Sequence, residues 1–436
     1  MGIYRCSLDS GIFYNHLETK RFKTGYFSVN FVLPLLRENV AYYALLPRVM
    51  RSGCASLPNR RAIVKRLEDL YGADIYVRHY GRGEQQVISF SADFLDNRYL
   101  PPLEATDVFS ETLGVLRDLI FSPVQKNGLF LQEYVDTERR NCADTVRAMI
   151  NNKQQYAIHR CTTLMCSTET AGVPILGEVE DFDKIDPVKL MDCYRYMLRN
   201  ARIEIFYVGS SPLSVVKSKS AALFSGDFRD YSGWQSKSPR ILQADSVKRY
   251  EETAAAAQGK LVLGFRTGVF LNGDSQLAYS LFNEIYGASP SSKLFLNVRE
   301  KKSLCYSCYS SADLLKGIMY VVAGIDNDQK DVAIEEIMIQ LDKMRQKEIT
   351  EEELHCAKQS LANGYRSLYD SAEGLEVWYL RRILAGCILT PEEVAAHIME
   401  LTAEDVAAVA RGVSLDTIYF LRADRTCADG EDEDEE

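Results

Sequence analysis

Three things are scarce in this chain of 436 residues: histidine, excess positive charge and long unbroken apolar runs. The five histidines, His16, His79, His159, His355 and His397, are few and widely spread, and the cysteines are scattered, so no Cys/His pairing for nucleophilic catalysis is suggested. The formal net charge is −10, which argues against a nucleic-acid binder, because such proteins need a basic face to displace counterions. No stretch reaches the roughly 18 apolar residues of a membrane-spanning helix, and the opening MGIYRCSLDSGIFYNHLETKRFKTG has no apolar segment of secretory length. It also misses the myristoylation pattern, since Cys6 stands where Ser or Thr is wanted. The expectation is a cytoplasmic protein with neither nucleic acid nor membrane as partner.

What is present is globular composition, 46% hydrophobic and 26% charged, on a length that suits two or three domains. Eleven cysteines are an odd number spread from Cys6 to Cys427, which suits reduced and mostly buried thiols. Cys305 and Cys308 form a C-x-x-C, but no second one exists to complete a four-thiolate zinc site, and strand alternation predicts their sulfurs on opposite faces. The ending ADGEDEDEE carries self-repelling charge without an apolar anchor, so 426–436 reads as a solvated, disordered acidic tail.

Laid side by side, the two halves repeat one order of elements. KTGYFSVNFVLPL matches QGKLVLGFRTGVF as an apolar strand, ENVAYYALLPRVMRSG matches NGDSQLAYSLFNEIYG as a helix closed by glycine, and NRRAIVKRLEDLYGADIYVRHY matches SSKLFLNVREKKSLCYSCYS as a helix-to-strand corner. EQQVISFSADF and GIMYVVAGI are the next strands, long helical stretches follow, and each half closes on a helix and a strand. The predicted fold is α+β: two homologous units, each a mainly antiparallel sheet with helices packed on one face, facing each other across a cleft. Unit boundaries fall at 1–223 and 246–425, joined by a Gly/Ser/Pro/Asp-rich linker at 224–245.

In the second half, Ser291 and Ser292 are helix-start residues, Leu294, Phe295 and Val298 follow at helical spacing, and Arg299 is therefore expected in a helix. LCYSCYSS then alternates as a strand, with Tyr306 and Cys308 on one face. The segment LFNEIYGASPSSKLFLNVREKKSLCYS, together with the duplication, resembles the insulinase/pitrilysin-type zinc peptidases over residues 20–425. That resemblance implies a zinc motif H-x-x-E-H in the first helix of the first unit, in which two histidines hold Zn²⁺ and the glutamate takes a proton from the metal-bound water. Counting back from Gly53 places it at 44–48, which reads ALLPR. Ala44 and Arg48 replace the histidines, Pro47 replaces the base, and Glu138, at the position of the third ligand, cannot hold zinc alone and is expected to be a solvated or helix-pairing carboxylate.

The resemblance also implies that an arginine and a tyrosine of the second unit serve the substrate and the oxyanion, and Arg299 and Tyr306 keep that spacing. A guanidinium can grip carbonyls or a terminal carboxylate, and a phenol can donate to an oxyanion. Two functions follow. One is a subunit without zinc or any other cofactor of its own, whose Arg299 and Tyr306 complete a peptidase site with a homologous partner that carries H-x-x-E-H and the zinc, acting on a peptide substrate. The other is a non-catalytic peptidase-like scaffold or peptide-binding protein. Homodimers are expected when the partner is absent.

Overall fold

The computed structural model describes residues 2–101, 106–224, 229–234 and 240–424, so the acidic tail lies outside the described residues. The chain forms two compact units that do not coincide with its two halves. Unit 1 comprises Met1–Arg147, Val173–Lys237 and Leu368–Arg381; unit 2 comprises Ala148–Gly172, Ser238–Ser367 and Arg382–Glu436. Each half therefore lends a segment to the other unit.

The strands, in chain order, are β1 (Tyr4–Asp9), β2 (Ile12–Glu18), β3 (Thr24–Pro34), β4 (Asp74–Arg82), β5 (Gln85–Leu95), a two-residue pair β6 (Gln125–Lys126) and β7 (Leu129–Phe130), β8 (Arg202–Gly209), β9 (Lys248–Ala255), β10 (Gly259–Arg266), β11 (Ser307–Asp313), β12 (Ile318–Ile325) and β13 (Ser414–Asp424). Unit 1 holds a sheet ordered β1-β2-β8-β3-β5-β4 and unit 2 a sheet ordered β11-β12-β10-β13-β9. Read in the same direction, β2, β8, β3, β5 and β4 correspond to β9, β13, β10, β12 and β11. In both sheets the single parallel pairing joins the first strand of that set to the last in sequence, β2 with β8 and β9 with β13. The duplication read from the apolar runs is thus a duplication of topology.

Alternation along the strands decides what each face meets. On β3, Phe27, Val29, Phe31 and Leu33 enter a core shared with the helices Val40–Met50, Val108–Phe121 and Pro187–Asn200. Tyr26, Ser28 and Asn30 point to the other face, where Glu376 of the lent segment accepts hydrogen bonds from all three, at 2.5 Å from Ser28 and 2.6 Å from Asn30. In unit 2, Leu261, Leu263 and Phe265 of β10 meet the helices Gln276–Asn283, Lys330–Arg345 and Ala403–Gly412. The last of these starts on a Thr402/Asp405 capping box.

The opposite face of the unit 2 sheet is apolar as well. Val262, Tyr320, Val322, Tyr419 and Leu421 pack against Ala157, Cys161 and Met165 of the helix Lys153–Met165, lent by the first half. The α+β layout is as expected, and the unit 2 sheet carries this helix in addition: an apolar run such as KLVLGFR or GIMYVVAGI buries both faces of its strand, and the second face needs a cover. A buried cluster fixes that cover. Arg266, 1% exposed, pairs at 2.7 Å with both Glu169 and Asp416 and donates to the Met165 carbonyl at 3.1 Å. Of the expected linker, residues 229–231 are docked on unit 1, where Arg229 donates to the Leu198 carbonyl at 2.6 Å and Asp230 N–H to the Arg199 carbonyl at 2.9 Å.

Candidate functional site

The helix Val40–Met50 is apolar almost all round, and every residue in it except Arg48 is buried. Ala44 lies in the core. Pro47 has no N–H to offer the carbonyl one turn back, so it interrupts the helical ladder where a general base would be needed. Arg48 reaches the neighbouring helix Gln132–Arg147 and donates to Thr145 Oγ1 at 3.4 Å. Of the two expectations for Glu138 on that helix, solvated or helix-pairing, the second holds: it is buried and accepts from Asn141 Nδ2 at 3.1 Å, within its own helix. Between them, burial pushes the Cys142 thiol up to about 11, with the Arg48 charge opposing and the Glu138 charge adding.

A zinc ion does not fit this arrangement. A methyl group and a guanidinium stand at the two expected imidazole positions, and the one carboxylate shares its surroundings with that fixed cation. Among the described residues, no group of three or more His, Cys, Asp or Glu side chains converges to hold a metal. His79 on β4, which the sequence did not single out, lies within reach of the Arg48 charge. Burial pushes it down to about 4, against a hydrogen bond with Gln86 Oε1 at 2.9 Å, and Arg48 lowers it further, so it is neutral at pH 7.

Arg299 and Tyr306 occupy two successive irregularities of unit 2. The first turn after Ser292 is tied by Ser292 Oγ accepting from Phe295 N–H at 3.4 Å. The chain then widens into π-type turns over Phe295–Lys301, closed by Lys302 N–H to the Asn297 carbonyl at 3.3 Å. Ser303 ends it in the left-handed region at φ 52. Arg299, 40% exposed, lies over the Phe295 ring at 4.6 Å, and its nearest carboxylate is Glu300 at 3.6 Å.

Tyr306 is not inside the strand as the alternation predicts, because β11 begins at Ser307. Tyr306 N–H bonds to the Gly324 carbonyl at 3.0 Å, yet Ser307 is the register partner of Gly324. The ladder therefore ends here, and Tyr306 stands just outside its first paired residue. The Tyr306 ring is 67% exposed, and among the described residues its hydroxyl has no hydrogen-bond partner. Cys305 lies before the first residue of β11 and Cys308 within it, and both thiols are buried.

Arg299, Cys305 and Tyr306, with Asp326 and Gln329, line an open and mostly polar pocket of about 600 Å³. It presents a planar cation and a phenol to a ligand from outside. Asp326 and Gln329 escaped sequence reasoning, because they come from the turn after β12, which no local motif marks.

Residues 184–361 match the family described as peptidase M16 inactive domain. It is similar to the "Probable inactive metalloprotease YmfF" of Bacillus subtilis (strain 168), 27% identical with 95% of this chain and 97% of that protein covered. Among solved structures, a conserved protein from Enterococcus faecalis V583 matches with a TM-score of 0.88 at 27% identity, covering 97% of this chain and 99% of that one. A peptidase M16 inactive domain from Pseudomonas fluorescens shares the fold with a TM-score of 0.79 at 16% identity, over 97% and 99% of the two chains. Among the described residues, no helix is long and apolar enough to cross a membrane.

Proposed function

We propose that this chain is the zinc-free subunit of a two-chain peptidase: Arg299 grips the peptide substrate, Tyr306 donates to the oxyanion, and a homologous partner bearing H-x-x-E-H supplies zinc and the attacking hydroxide. The observation that carries this reading is the outward presentation of the two side chains. Among the described residues, a phenol with no internal partner and a guanidinium held only by a ring and a distant carboxylate line one polar pocket. The replaced positions on the helix Val40–Met50 support placing the metal chemistry on another chain.

The test is co-expression with such a partner, followed by size exclusion and peptide-cleavage kinetics. Tyr306→Phe keeps the ring and loses one donor, so the pair assembles normally and kcat falls about a hundredfold with KM little changed. Arg299→Ala raises KM first, and Arg299→Lys recovers only part of the loss, because a point charge does not reproduce a planar fork. If both variants assemble and cleave at the parent rate, the pair is structural and the chain is a scaffold.

A further inference from the structure

Unit 1 carries a pocket of different chemistry, a mostly apolar cavity of about 350 Å³ between the end of β3, the start of the helix Val40–Met50 and the helix Pro187–Asn200. Lys189, Asp192, Cys193 and Tyr196 stand at i, i+3, i+4 and i+7 of the last helix and so share one face of it. Leu33, Tyr43 and Cys193 are buried, while Leu36 and Tyr196, 41% and 49% exposed, form the rim. Small-molecule sites have this size and this make-up, apolar walls with a few convergent polar groups.

Three polar side chains line the cavity. Asp192 is taken up by Arg195 at 3.2 Å. Asn39 holds the N-cap position of the helix Val40–Met50, yet its side chain does not cap that helix, and among the described residues its amide has no partner. Lys189 has no carboxylate partner among the described residues; its Nζ lies 4.7 Å from the centre of the Tyr42 ring and donates to the Glu38 carbonyl at 3.5 Å. One cation without an anion and one amide without a partner thus stand beside an apolar cavity. We propose that this pocket binds a medium-chain carboxylate, with its alkyl tail against Leu33, Leu36, Tyr43 and Tyr196 and its head accepting from Lys189 Nζ and Asn39 Nδ2.

Charge complementarity decides the head. Lys189 also lines a neighbouring open pocket of about 390 Å³, where Arg37 is taken up by Asp181 at 2.7 Å, leaving Lys184 and Lys189 against the single carboxylate of Glu38. The apolar walls decide the tail. A peptide segment brings an N–H and a C=O with every residue, each costly to bury unpaired, whereas an alkyl chain brings neither and gains from leaving water.

The inference is independent of the Arg299 pocket, which belongs to unit 2, and is tested on the purified full-length chain by equilibrium dialysis with decanoate below its micelle concentration. The expected result is saturable binding of one decanoate per chain. Acetate, which has the head alone, and decyltrimethylammonium, which has a tail of the same length under a cation, show no saturable binding over the same range. Lys189→Gln and Leu36→Asp both alter exposed side chains. The first removes the cation and should weaken decanoate about tenfold, and the second puts a carboxylate on the rim and should abolish binding. Absence of saturable decanoate binding, equal binding of decyltrimethylammonium, or decanoate binding at the parent level in either variant overturns the proposal.

Discussion

Glu376 joins the segment lent by the second half to the polar face of the unit 1 sheet, and removing it should release that segment. Glu376 is 3% exposed and accepts from Tyr26, Ser28 and Asn30, three residues that alternation places on one face of β3. In Glu376→Ala the Asn30 Nδ2 keeps the Ser28 hydroxyl at 3.0 Å and the Glu204 carbonyl at 3.2 Å as acceptors, so its two donors stay satisfied. The Ser28 and Tyr26 hydroxyls lose their carboxylate while buried, and at about 1–3 kcal/mol for each such group the expected loss is about 3 kcal/mol. Glu376→Gln should cost less, because a hydroxyl can turn to accept from the new amide.

Burial raises the Glu376 carboxyl above its ordinary value despite the three hydrogen bonds. A folded value above the unfolded one means that this contribution is fully present below about pH 4 and is lost as pH rises through the folded value. Glu376→Gln removes that dependence. The chain has two tryptophans, and Trp378 lies in the same helix two residues from Glu376. In a Trp234→Phe background, the urea midpoint of Trp378 fluorescence reports release of the segment. A midpoint for Glu376→Ala equal to that of its parent, or a parent midpoint that follows pH no differently from Glu376→Gln, refutes the reasoning.

Arg266→Met should leave Asp416 and Glu169 as buried carboxylates without their cation, at a cost of about 3–5 kcal/mol, measured as a lowered urea midpoint of unit 2; an unchanged midpoint would show that the triad is replaceable. The chain dialysed against zinc-free buffer should retain no stoichiometric zinc by metal analysis, and one tightly held ion per chain would contradict the assignment of Ala44, Pro47 and Arg48 to the ligand and base positions.

The sheets were legible because a strand period of two survives in single runs, and because the same runs recur in the same order. VNFVLP and LVLGF announce strands without any tertiary knowledge. Which sheet a helix covers was not legible. The residues Ala157, Cys161 and Met165 recur at helical spacing and promise an apolar stripe, but nothing in that spacing says that the stripe meets Val262 and Tyr419 of the other half. The two-sided burial of β10 and β12 was the available signal, and it points to a missing cover without naming it. At the site, Arg299 and Tyr306 came from resemblance rather than from physics. The start of β11 is set by the Gly324 carbonyl, on a different strand, so local alternation ran straight past it into Tyr306.

The two lost ligand positions and the two presented side chains differ in what the fold asks of them. Ala44 serves the core, and Arg48 finds a neighbour on the next helix, so both residues have a structural task where they stand. Arg299 and Tyr306 have almost none. A ring two-thirds exposed buries little area, and a surface ion pair at 3.6 Å contributes close to nothing. The backbone beneath them is nonetheless shaped by π-type turns and a left-handed Ser303, each a departure from the cheaper regular geometry. Stability alone gives no reason to hold a guanidinium and a phenol on such a support. Binding something outside the fold does, and both groups are hydrogen-bond donors suited to carbonyl and carboxylate oxygens, the oxygens that a peptide offers.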